Sequence, residues 1–173
     1  MVDWATLVAR HSAAVEEFLR AAQEVEPVRW LQPSRPGKWS PAEITSHLFE
    51  SYHTFRSELA GGPGMGLRVA PLRRWVLRRT VLPRILSTGN FPDGARAPRE
   101  TRPREVQPDP SIALHALSTE ADAMVQELSD RMRSGRVRLT HAYFGRMSAP
   151  QSLTFATIHT RHHARQIAGV TRA

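Results

Sequence analysis

Cysteine is absent from the 173 residues, and lysine occurs once, at Lys38. Without thiols the chain has no disulfide framework, no cysteine-ligated zinc, no iron–sulfur cluster and no thiolate nucleophile of its own. Any metal must then be held by His, Asp or Glu. Long apolar runs are missing too, since nothing approaches the roughly 18 residues of a membrane-spanning helix. Met1-Val2-Asp3-Trp4 lacks the basic stretch and apolar core of a secretory leader, so a cytoplasmic, non-membrane location is expected. With 40% hydrophobic and 23% charged residues the composition is globular, and the length suits one domain over residues 1–173.

What is abundant is arginine. It supplies 23 of the 24 basic residues against 16 acids, for a formal net charge of +8. Phosphate binders usually use both arginine and lysine, so this skew weakens an inference from basic charge alone to a nucleic-acid partner. The excess is also local. Residues 67–104 hold ten arginines with only Asp93 and Glu100 as acids, and the rest of the chain is balanced.

Helical periodicity organises most of the chain. Trp4, Leu7, Val8, Val15, Phe18, Leu19 and Ala22 predict an amphipathic helix over about 3–24, with Asp3 as its N-cap. Residues 26–38 read as a connector. Ser40-Pro41-Ala42-Glu43 combines a capping serine, proline at the first helical position and glutamate at the third. The helix it starts should run to about Ala60, with Ile44, His47, Leu48, Ser51, Phe55 and Leu59 facing inward.

Residues 63–110 hold 8 of the 13 prolines. Within them, 67–86 predicts a short interrupted helix with Leu72, Trp75, Val76, Leu82 and Leu86 as its apolar side. Pro71 is a candidate start, and Pro83 is expected to kink or end it. Residues 88–108 read as irregular, and so long an excursion points to function or an interface. Asp109-Pro110 opens a third long helix with core stripe Leu117, Ala121, Met124, Leu128 and Met132, ended by Gly135. Residues 137–147 read as a connector. Ser148-Ala149-Pro150-Gln151 repeats the capping pattern and starts a last helix over about 149–169. The expectation is an all-α four-helix bundle with an irregular Arg/Pro-rich insertion, about 63–108, between the second and third long helices.

His159 and His163 are four apart, so a helix places them on one face, where two imidazoles can chelate one divalent ion. His162 is turned about 100° away and is the poorer ligand. His47, on the inner stripe of another helix, makes a third nitrogen. Three protein ligands with positions left open is a catalytic arrangement. No His-Glu-x-x-His motif is present, which disfavours a zincin protease.

These features together resemble a family. Gly37-Lys38-Trp39-Ser40-Pro41-Ala42-Glu43-Ile44 leads to His47-Leu48; Tyr143-Phe144-Gly145-Arg146-Met147-Ser148 precedes the last helix; His159-x-x-x-His163 lies within it, followed by Arg165-Gln166-Ile167. The set is similar to the DinB/YfiT-like superfamily of metal-binding four-helix bundles. The resemblance implies an up-down-down-up bundle, a homodimer, and a divalent metal, zinc or nickel, held by His47, His159 and His163. It also implies, as in several relatives, a thiol S-transferase using a low-molecular-weight thiol.

A metal-dependent transferase or hydrolase acting on a small molecule is therefore the leading expectation. In it the ion activates the sulfur of a thiol cosubstrate, or water. Glu50, Tyr143 and Arg165 are the candidate catalytic residues beside it. Two rivals stand. One is a non-catalytic basic module that docks nucleic acid or an anionic surface through residues 67–104. The other is a degenerate bundle whose core histidines bind no metal.

Overall fold

A computed structural model describes residues 3–92, 96–135 and 137–171. The chain is mostly helical, with five helices and one small sheet: α1 Trp4–Gln23, α2 Pro41–Leu59, α3 Pro71–Thr88, α4 Pro110–Ser134, β1 Arg138–His141, β2 Gly145–Ser148 and α5 Ala149–Thr171.

The helix starts follow from their caps. Asp3 accepts from the Thr6 N–H. The Ser40 hydroxyl accepts from the Glu43 N–H at 3.2 Å while the Glu43 carboxylate accepts from the Ser40 N–H at 2.8 Å, so two otherwise orphaned donors are satisfied reciprocally. Asp109 accepts from Ser111 and Ile112. Ser148 and Gln151 form the same kind of box at the head of α5. These caps fix where α1, α2, α4 and α5 begin, whereas α3 starts at Pro71 without a side-chain cap.

The main packing pairs are α1 with α5 and α2 with α4, and α1 also lies against α4 and α2 against α5. Phe18, Leu48, Leu117, Leu128, Leu153 and Ile167 fill the shared core. Tyr52 Oη and Thr160 Oγ1 are 2.6 Å apart between α2 and α5, and Arg56 ties α2 to α4 through Glu120 and Glu127. Trp30, fully buried, donates from Nε1 to the Gln107 carbonyl and so pins the α1–α2 connector to the segment before α4.

Three expectations are corrected. Residues 137–147 are a β-hairpin, with Arg138 opposite Ser148 and His141 opposite Gly145. Leu139, His141 and Met147 turn inward with a period of two, and Gly145 takes φ 69°, which a β-carbon would oppose. Next, α3 begins at Pro71 and continues through Pro83 to Thr88. Its buried residues are Leu82 and Ile85, which anchor it on both sides of the proline, whereas Leu72, Trp75 and Val76 are exposed. Finally, α5 runs past Gly169 to Thr171. Thr88 closes α3, and residues 89–92 and 96–108 are irregular as expected, apart from a 3₁₀ turn at Arg99–Thr101 that packs on α2; residues 93–95 lie outside the described set.

Candidate metal centre

The capped start of α2 turns His47 inward, and the four-residue spacing on α5 brings His159 and His163 to the same place. His159 Nε2 lies 3.0 Å from His47 Nε2 and 3.0 Å from His163 Nε2. One nitrogen from each of the three residues falls within 4.8 Å of the others. Three imidazole nitrogens sharing a tetrahedral ion sit about 3.3 Å apart, so the donor set is of the right size for one divalent cation. His47 and His163 are buried, and His159 is the partly accessible member.

The protons on these rings are fixed by neighbours. His47 Nδ1 is 2.5 Å from the Thr101 carbonyl oxygen, which only accepts, so the proton is on Nδ1 and Nε2 carries a lone pair. His163 Nδ1 donates to Gln166 Oε1 at 2.8 Å, while the Gln166 amide nitrogen donates to His162 Nε2 at 2.9 Å. His163 Nε2 is therefore also a lone pair. His159 Nε2 faces both, and with one proton it can satisfy only one of them. A cation at the centre would satisfy all three. Carboxylate or carbonyl partners on the far nitrogen are the usual device that orients metal-ligating histidines.

Electrostatics keep the rings neutral. Burial pushes His47 down to about 4, against a raising effect from the Thr101 carbonyl. Burial, reinforced by the neighbouring imidazoles, holds His159 and His163 well below the usual histidine range. All three then offer nitrogen lone pairs at neutral pH.

Apolar and aromatic groups wall the cluster. Trp39 lies 4.8 Å from the His47 ring, and Phe91 lies 5.7 Å from His159 and 5.3 Å from His162 (centroid separations). The other proposed site residues each have a partner of their own. Glu50 faces Arg104 at 3.9 Å. Tyr143 donates from Oη to the Arg96 carbonyl at 3.1 Å. Arg165 reaches the Gly89 carbonyl and steadies the end of α3. Nor do the three histidines line either of two surface clefts. One, of about 280 Å³, lies between α1, α5 and the end of α3. The other, of about 600 Å³, has arginine as half of its lining residues.

Sequence reasoning gave no role to Thr101, Phe91 or Gln166. Gln166 was within reach, because it stands three residues after His163 on one helix. Thr101 was not, because it acts through its backbone.

The model of the DinB superfamily matches residues 10–167. The chain belongs to the DinB superfamily. Neither the curated proteins nor the solved structures compared with it gave a match. The superfamily match runs from α1 to α5 and includes all three histidines. Among the described residues, no helix of this DinB-superfamily protein is long and apolar enough to cross a membrane.

Proposed function

We propose that this protein is a divalent-metal-dependent enzyme of the DinB superfamily, with His47, His159 and His163 holding zinc or nickel through their Nε2 atoms. The observation that carries this is the pair of Nδ1 hydrogen bonds, from His47 to Thr101 and from His163 to Gln166. They leave two Nε2 lone pairs converging on a third imidazole. When bound, the ion supplies Lewis acidity that lowers the pKa of a thiol or water taking an open position. The chain has no cysteine, so in a thiol S-transferase reading the sulfur comes from a low-molecular-weight cosubstrate. A hydrolase uses the same constellation with water. Trp39 beside His47 and Phe91 beside His159 limit the access of bulk water to the cluster. In this reading α1, α2, α4 and α5 form the four-helix bundle of the superfamily in up-down-down-up order. α3 and the irregular segment are inserted into it, and the protein works as a cytoplasmic homodimer.

The test is metal stoichiometry. Protein purified without a histidine tag, stripped with chelator and titrated with Zn²⁺ or Ni²⁺ should bind one ion per chain. His159→Ala should abolish tight binding. An unchanged isotherm for that variant would remove the ligand set, and with it the function.

A further inference from the structure

The wide cleft of about 600 Å³ is built from three pieces of the arginine-rich segment. Arg68 comes from the α2–α3 link, Arg73 from the first turn of α3, and Arg96, Arg99 and Arg102 from the irregular stretch before α4; Tyr143 of the hairpin closes one side. Its walls are held by hydrogen bonds rather than by chance juxtaposition. The Arg68 N–H donates to the Ala142 carbonyl, Tyr143 Oη to the Arg96 carbonyl, and Glu100 accepts from both the Gly66 N–H and Arg68 Nη2.

Among the described residues, only one of its five arginines is ion-paired. Glu100 neutralises Arg68 at 2.5 Å. Arg73, Arg96, Arg99 and Arg102 have no carboxylate partner among the described residues. The arginines that line the cleft concentrate positive charge around it, and an anion shared between them would offset that charge. The volume lies within the range of small-molecule sites, about 300–1,000 Å³. Guanidinium forks bind carboxylate and phosphate oxygens in pairs.

We propose that this cleft binds a small polyanion, a molecule carrying two or more carboxylate or phosphate groups. Arg99 on one wall opens the Arg99–Thr101 turn, whose Thr101 carbonyl accepts a hydrogen bond from His47 Nδ1. The cleft and the histidine cluster thus share a three-residue turn. The cleft holds the anionic end of the molecule that reacts at the histidines, and in that role the inference rests on the function proposed above.

Calorimetric titration of chelator-stripped protein isolates the cleft from the metal. Pyrophosphate and tricarballylate serve as phosphate and carboxylate probes, with acetate as the monovalent control and a short DNA duplex as the nucleic-acid arm. One of the two polyanions should bind with 1:1 stoichiometry and weaken as NaCl rises. Whichever binds more tightly identifies the headgroup chemistry. Arg73→Gln and Arg99→Gln should each weaken it about tenfold, and Arg73→Lys less. Zn²⁺ binding by Arg73→Gln should match the wild type, so loss of anion binding and loss of metal remain separate results. The inference is overturned if neither polyanion saturates, if both arginine variants bind like the wild type, or if only the duplex binds and neither small anion displaces it.

Discussion

At the scale of single residues, Gln166 does the work of two contacts. Its amide accepts from His163 and donates to His162, so one side chain locks the tautomer of its neighbour. Gln166→Ala should leave the fold intact and lower Zn²⁺ affinity by roughly 10–100-fold, the usual cost of losing an outer partner of a ligating histidine. A competition titration against a chromophoric chelator reads this directly, and an unaltered affinity would refute the role. Burial matters equally for the histidines outside the cluster. His11 is pushed down to about 4 and His141 to about 3, both by desolvation, from an ordinary value of 6.5. Because these values are depressed in the folded state, the unfolded chain takes up protons first as pH falls. The stability they contribute is complete above about pH 6.5 and drains away as pH falls to about 4 for His11 and about 3 for His141. Inside that window each should cost about 1.4 kcal/mol per pH unit. Urea midpoints measured from pH 8 to 4 should be flat and then fall. His11 Nε2 has no hydrogen-bond partner among the described residues and Nδ1 has only a long 3.4 Å contact with Thr157 Oγ1, so His11→Leu should shallow that fall at small cost at pH 7. An equally steep fall in the variant would show that His11 is not among the groups responsible.

Elements differ in how openly the sequence announced them. The phase of α2 was legible because Ser40, Pro41 and Glu43 mark its first turn unambiguously, and from that phase His47 had to face inward. The i,i+4 spacing put His159 and His163 on one face of α5, and their meeting with His47 was implied by the family resemblance rather than by the spacing. Ser40→Ala should cost about 1 kcal/mol in chemical unfolding, since it orphans the Glu43 N–H; no measurable loss would mean the box is idle. The hairpin was not legible, because two four-residue strands are too short for a period of two to stand out against helical neighbours. α3 misled in a different way. Leu72, Trp75 and Val76 are periodic, but periodicity shows that a helix has an apolar face without showing that anything covers it. Its continuation through Pro83 was likewise hidden, because Leu82 and Ile85 hold the helix against the body from both sides of the break. Pro83→Ala should restore a donor toward the Arg79 carbonyl and slow hydrogen exchange of the α3 amides. Exchange no slower than in the wild type would mean that the proline does not limit the helix.

For the molecule as a whole, the charge and the chemistry occupy different sequence but adjoining space. The excess of arginine lies in residues 67–104, and the histidines lie outside it, yet the irregular part of that segment packs along α2 through the Thr101 carbonyl and through Ser46, whose hydroxyl donates to the Glu105 carbonyl. A cation held only by the folded chain raises the stability of the whole. At a free concentration a hundredfold above Kd the gain is about 2.7 kcal/mol. Zn²⁺ should therefore raise the thermal midpoint of the wild type and leave that of His159→Ala where it was, and a shift of equal size in both would place the bound ion elsewhere. The carbonyl that orients His47 belongs to a peptide link, not to a side chain. Its partner is thus indifferent to spelling: any residue at position 101 that keeps the turn presents the same oxygen. Drift in this segment can rewrite the arginines of the cleft one by one while the tautomer of His47 stays inherited unchanged. A single-residue deletion between Pro98 and Arg102, which shifts the register of that oxygen, would damage the centre more than any replacement at Thr101 itself.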